Sequence, residues 1–133
     1  MTACITGWAH SKFGKLEDET LESLIGGVVG DALANAKLEA KDIDEIYLGH
    51  FNAGFSPQDF TASLVLQASD DFRFKPTTRV ENACATGSAA VHQAVKSIEA
   101  NRARHVLAVG VKAMAFQEEP YSIIWCLLDD GTL

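Results

Sequence analysis

His105-Val-Leu-Ala-Val-Gly-Val111 is a near-continuous apolar run. A strand with one wet face alternates apolar and polar residues, whereas a strand covered on both faces does not. The run therefore predicts a buried strand with helices above and below it. Working back toward the N-terminus, Asn101 can end a helix in the left-handed conformation. Val91, Ala94, Val95 and Ile98 share one face of that helix, which spans about Ala85 to Ala100. Upstream, Pro76 stops any helix and leads into an extended stretch, Thr77 to Glu81.

The same alternation of elements continues to the start of the chain. Ser56-Pro57-Gln58-Asp59 is a helix-start signal: a capping hydroxyl, a proline suited to the first helical position and an acid at the positive end. That helix is expected to run through Leu64, Leu66 and Ala68 to the charged loop Asp70 to Lys75. Glu45 to Phe51 reads as a strand after a charged turn, Ala40 to Asp44. Before it, Leu21, Leu24, Ile25, Val28, Ala32 and Ala36 follow helical spacing, with Thr20 or Asp18 as cap. Gly26, Gly27 and Gly30 each cost ~1 kcal/mol relative to alanine inside a helix, and are read as points where another backbone comes close. Ala3 to Trp8 reads as the first strand, with Gly7 and Gly14 punctuating its exit. Strands alternating with helices imply a layered α/β/α domain with a mostly parallel sheet and right-handed crossovers.

The last twenty residues fit this plan poorly. Met114 to Glu119 reads as loop, and Tyr121 to Leu128 is an apolar stretch with nothing after it to cover. The chain then stops without completing another unit, so a truncated parent is expected.

Composition bounds the function. A chain of 133 residues, 47% hydrophobic and 22% charged, suits one globular domain rather than a disordered segment. A net charge of −7 argues against nucleic acid as a partner, since that recognition needs a basic surplus. No apolar run approaches the ~20 residues that span a bilayer, and the start lacks a signal-peptide profile, so no membrane partner and a cytoplasmic location are expected. Cys4, Cys84 and Cys126 form no C-x-x-C pair. His10, His50, His92 and His105 form no metal-binding array, so neither a disulfide framework nor a metal site is expected. Arg102, Arg104 and His105 read as a solvated helix end, Phe51, Phe55 and Phe60 as core, and Glu118-Glu119 as solvated loop.

The stretch with chemical content is Val80-Glu-Asn-Ala-Cys84-Ala-Thr-Gly-Ser-Ala-Ala-Val91. It sets one cysteine between an extended segment and the first turn of a helix. Free amides and the macrodipole at a helix start favour negative charge, and so the thiolate. Ala83, Ala85, Gly87 and Ser88 allow a sharp strand-to-helix turn and leave room for a substrate arm. Two readings fit these residues: an activated nucleophile in an elbow, where following amides bind an oxyanion, or a buried cysteine in a small-residue packing seam.

Asn82-Ala83-Cys84-Ala85-Thr86-Gly87-Ser88, followed by an alanine-rich helix, resembles the nucleophile segment of thiolases. The likeness is greatest to the branch holding the thiolase portion of sterol carrier proteins and acetyl-CoA acetyltransferases. ITGWAHSKFGK, DIDEIYLGHF, QDFTASLV and RARHVLAVGVKAM agree with it, in the order of the family's first domain. The resemblance implies an incomplete thiolase-like N-terminal domain over residues 1–114 and a divergent or truncated tail over 115–133. It implies Cys84 as the nucleophile of a ping-pong acyl transfer, with coenzyme A thioesters as substrates and no permanently bound cofactor. The acyl group would pass to the enolate of a second acyl-CoA or to free CoA, with the Cys84 amide helping to hold the oxyanion. Acyl-CoA or CoA and a homo-oligomer, dimer or tetramer, are the implied partners.

Departures from the family pattern matter as much. Its activating histidine and second cysteine lie in Gly-His-Pro and Cys-x-Gly motifs, and neither occurs in these 133 residues. Lys112 stands where relatives generally carry an acid, and Asn101 where many carry glycine. Cys126 precedes Leu127-Leu128 and reads as a core or interface residue; His92 has poor reach and direction for the activating base. An impaired fragment is therefore expected. The alternatives are a non-catalytic fragment acting at most in assembly or protein interaction and, ranked last for want of a resolving cysteine, a redox sensor.

Overall fold

The computed structural model describes residues 2–13, 16, 18–52, 57–111, 124–129 and 131. Five strands, β1 (Cys4–His10), β2 (Glu45–His50), β3 (Thr77–Val80), β4 (His105–Val111) and β5 (Ile124–Asp129), form one sheet in the order β1-β5-β4-β2-β3. β2 pairs in parallel with both β3 and β4, while β5 is antiparallel to β4 and to β1. Four strands thus run one way and β5 alone runs the other. Helix α1 (Leu21–Ala36) covers one face and α2 (Thr86–Glu99) the other, which is the layered α/β architecture with a mostly parallel sheet.

The decisive run His105–Val111 is β4, at the centre of the sheet. Its odd positions Leu107, Val109 and Val111 join the core under α1, and Val106 and Ala108 join the core under α2. Two buried faces explain why the stretch shows no alternation.

Helix α1 starts where the sequence places it. Thr20 Oγ1 accepts from the Ser23 amide at 3.1 Å, and Ser23 Oγ accepts from the Thr20 amide at 2.9 Å, a reciprocal capping box. It ends at Lys37 in the left-handed region, φ 58°, and α2 is followed by Asn101 at φ 56°. Gly26, Gly27 and Gly30 correct the close-approach reading: a Cβ on any of them would meet nothing among the described residues within 4 Å. The close approach is at Gly7 instead. Gly7 lies inside β1 beside a bulge, not in an exit loop, and a Cβ there would sit 2.6 Å from Ala36 Cβ.

Other expectations are also corrected. Residues 61–67 form a 3-10 run rather than an α-helix. Thr61 and Leu64, and Ala62 and Val65, form its buried stripe, which is the three-residue period of a 3-10 helix. Phe60, just before the stripe, is 80% exposed rather than core, and Phe51 is half-buried. Of the apolar stretch at the end, residues 124–128 belong to β5, which enters the sheet between β1 and β4 with Leu128 buried, and residues 121–123 lie outside the described residues. His105 is no part of a solvated helix end: it opens β4, buried, with Nδ1 3.0 Å from the Asp42 carbonyl oxygen. The readings of Gly14, Ser56, Phe55, Lys112 and Met114 to Glu119 lie outside the described residues.

Candidate active site

Cys84 stands where β3 gives way to α2. A short 3-10 turn, Ala83–Ala85, intervenes, so the cysteine lies just before the helix rather than in its first turn. The thiol is exposed, which answers the packing-seam reading. Ala83 takes φ 44°, in the left-handed region, where an L-residue crowds its own carbonyl. The chain thus makes a sharp, strained elbow immediately before the sulfur, and such strain is held only where the surroundings over-determine it.

Thr86 supplies much of that restraint. Its buried Oγ1 accepts from the Asn82 amide at 2.8 Å and donates to the Ala83 carbonyl at 2.7 Å, while the Ala85 amide donates to the Asn82 carbonyl at 2.8 Å. A single hydroxyl therefore spans the turn on either side of Cys84. Asn82 and Ala85 contribute no side-chain cap to the short turn or the helix.

The sheet fixes the height at which the elbow sits. A Cβ on Gly49, in β2, would lie 2.8 Å from the Thr86 carbonyl oxygen and 2.9 Å from its Cγ2, so only glycine lets the start of α2 come this close. The far end of α2 is tied as well. Ser97 Oγ donates to Glu45 Oε2, and Tyr47 donates to Glu45 Oε1 at 2.9 Å. Burial first, and that hydrogen bond second, push the Tyr47 phenol above its ordinary range. These contacts put Cys84 at the carboxyl edge of the parallel strands β2, β3 and β4, where open α/β sheets bind ligands.

Other candidate residues are not brought together with it. His92 is exposed on α2, about two turns beyond Cys84. Cys4 lies at the start of β1, and Cys126 stands in β5 between Trp8 of β1 and Ala108 of β4. Sequence reasoning missed His50, which follows Gly49, is fully buried, and has no partner for either ring nitrogen among the described residues. Burial, and then the Arg79 charge, lower its pKa, so the ring is held neutral. Among the described residues no group of three histidine, cysteine or acidic side chains is placed to hold a metal. None of the described helices is long and apolar enough to cross a membrane.

Comparison with known proteins places this geometry. Residues 3–124 match the family described as thiolase, N-terminal domain. An acetyl-CoA acetyltransferase of Methanocaldococcus jannaschii is 40% identical over 111 residues, 83% of this chain and 28% of that protein. Its counterpart in Methanothermobacter thermautotrophicus is 31% identical over 117 residues, 87% of this chain and 30% of that protein. The chain thus spans less than a third of the length of these relatives. Among solved structures, 3-oxoacyl-[acyl-carrier-protein] synthase III of Aquifex aeolicus superposes with a TM-score of 0.79 at 18% identity, over 98% of this chain and 55% of that one. A thiolase of Ascaris suum in complex with coenzyme A gives 0.71 at 20% identity, over 87% and 31%. At such identities these two show the fold alone.

Proposed function

Because the chain belongs to the thiolase family, matching its N-terminal domain, we propose that Cys84 is the acyl carrier of a thiolase-type acyltransferase acting on coenzyme A thioesters. The observation that carries the reading is the exposed thiol on a strained elbow at the start of a fourteen-residue helix. The Cys84 thiolate attacks the thioester carbonyl, and the Cys84 amide helps to hold the oxyanion that forms. CoA leaves as its thiolate, and a thioester to Cys84 remains. The enolate of a second acyl-CoA then attacks that thioester, releasing the Cys84 thiolate and a 3-oxoacyl-CoA. In the reverse direction a CoA thiolate accepts the acyl group.

Intact-protein mass spectrometry after incubation with acetyl-CoA tests the reading. A gain of one acetyl group that disappears in Cys84→Ser supports it; the same gain in that variant overturns it. The two acetyl-CoA acetyltransferases that are 40% and 31% identical to this chain support the substrate class. A reducing compartment such as the cytoplasm suits chemistry that depends on a free thiol. Among the described residues β3 is the last strand of the sheet and its outer edge is unpaired, which supports assembly as a homo-oligomer.

A second reading is favoured by the missing Gly-His-Pro and Cys-x-Gly motifs: these 133 residues serve assembly or interaction without turnover. Thiolysis of acetoacetyl-CoA by the 133-residue chain separates the two, since measurable turnover excludes the second.

A further inference from the structure

Arg79 stands in β3, half-buried, and its guanidinium reaches three separate pieces of chain. Nε donates to the His50 carbonyl at 3.3 Å, at the end of β2. Nη1 donates to the Asp59 carbonyl at 3.4 Å, in the segment leading into the 3-10 run 61–67. Nη2 pairs with the Glu81 carboxylate, three residues before Cys84. The contacts to Thr86 restrain the inside of the elbow; these contacts restrain the chain that enters it. Strain such as the φ of 44° at Ala83 persists only where the surroundings over-determine it, and the two sets of contacts bear on that residue from either side.

We infer that Arg79 is a positioning residue for Cys84: gripping two carbonyls and Glu81, it sets the direction in which β3 delivers the thiol to the start of α2. The inference rests on the acyl-carrier reading of Cys84. The planar fork is what the task needs, since it donates along several fixed directions at once and an ammonium does not. Arg79 never touches the reacting atoms, and its influence passes through the backbone of residues 80–83.

The test measures iodoacetamide alkylation of the full 133-residue chain, resolved by peptide mass spectrometry at Cys84 and at Cys4. Cys4 is exposed at the start of β1 and serves as a reference within the same molecule. In the unsubstituted chain Cys84 reacts faster than Cys4. Arg79→Met and Glu81→Gln lower the Cys84-to-Cys4 ratio by about three- to fivefold, the scale of one interaction at a helix terminus, and leave the Cys4 rate unchanged. Arg79→Lys restores less than half of that loss. Glu81 is partly exposed, so Glu81→Gln carries the test even where Arg79→Met fails to fold. A fast Cys84 whose ratio is the same in both substituted chains overturns the positioning role alone. A Cys84 no faster than Cys4 in the unsubstituted chain overturns the acyl-carrier reading, and the positioning role with it.

Discussion

Replacing Gly49 by alanine places a methyl carbon 2.8 Å from the Thr86 carbonyl oxygen, 2.9 Å from its Cγ2 and 3.2 Å from its carbonyl carbon. Ordinary contact begins at 3.4 Å, so the first turn of α2 has to retreat by roughly 0.6 Å. Two of the three crowded atoms are backbone, so no rotamer change relieves them. Overpacking of this kind costs about 1–3 kcal/mol, which for a domain of this size lowers Tm by roughly 4–12 °C. The retreat also carries Thr86 Oγ1 away from the Asn82 amide and the Ala83 carbonyl, which it bridges at 2.8 and 2.7 Å. Thermal unfolding by circular dichroism should therefore show the loss in Tm, and alkylation at Cys84 should slow relative to Cys4. Gly7→Ala is the control. Its methyl would meet Ala36 Cβ at 2.6 Å and the Ala32 carbonyl oxygen at 2.9 Å, on the opposite face of the sheet, so stability falls and Cys84 keeps its rate. Gly49→Ala unfolding within about 0.5 kcal/mol of the parent, the range of a neutral surface change, would show that the close approach to Thr86 does not hold α2 in place. Gly7→Ala slowing Cys84 as much would show that the effect is not carried by Thr86.

Further outcomes follow from the same contacts. Gly27→Ala and Gly30→Ala, both exposed with open space at Cβ, should each stabilise the chain by about 0.5–1 kcal/mol in urea titrations; a loss in both would mean the helix surface is not free. Thr86→Val keeps the shape but orphans the Asn82 amide and leaves the Ala83 carbonyl only the Thr86 amide as donor, and should cost about 1–3 kcal/mol and slow Cys84; an unchanged Cys84 rate would remove the Thr86 hydroxyl from the elbow. His50 binds its proton less readily folded than unfolded, so the unfolded state takes up protons first as pH falls below its ordinary 6.5. Stability should then decline from pH 6.5 downward by at most about 1.4 kcal/mol per pH unit until the folded ring itself titrates. His50→Leu should flatten that part of the pH profile, and an equally steep decline in the variant would show that other groups cause it.

Much of this fold is legible in the sequence because its signals are local. Thr20 and Ser23 cap α1 through side chains three residues apart, Asn101 tolerates the left-handed region, and the unalternating run 105–111 reports two buried faces by itself. The 3-10 run 61–67 was not legible, since a three-residue and a 3.6-residue period barely differ over seven positions. The strand at residues 124–129 shows the same limit from another side. An apolar stretch declares that it will be covered but not by what, and its partners Cys4–His10 stand more than a hundred residues earlier. Gly7 illustrates the limit within a single residue: its letter suggests a turn, while its use is to admit Ala36.

The candidate site divides in the same way. The segment Asn82 to Ser88 is contiguous, so its small residues, its single thiol and its family resemblance can all be read from the string. What decides the posture of that thiol comes from elsewhere: Gly49 of β2 beneath Thr86, and Arg79 gripping the carbonyls of His50 and Asp59. Those contacts join residues twenty to forty positions apart in the chain. The sequence alone determines which group can react, because a side chain's chemistry travels with its letter. Its exposure, its strained approach and its place at the edge of the sheet are set only when distant segments pack, because they depend on atoms that the local string does not contain.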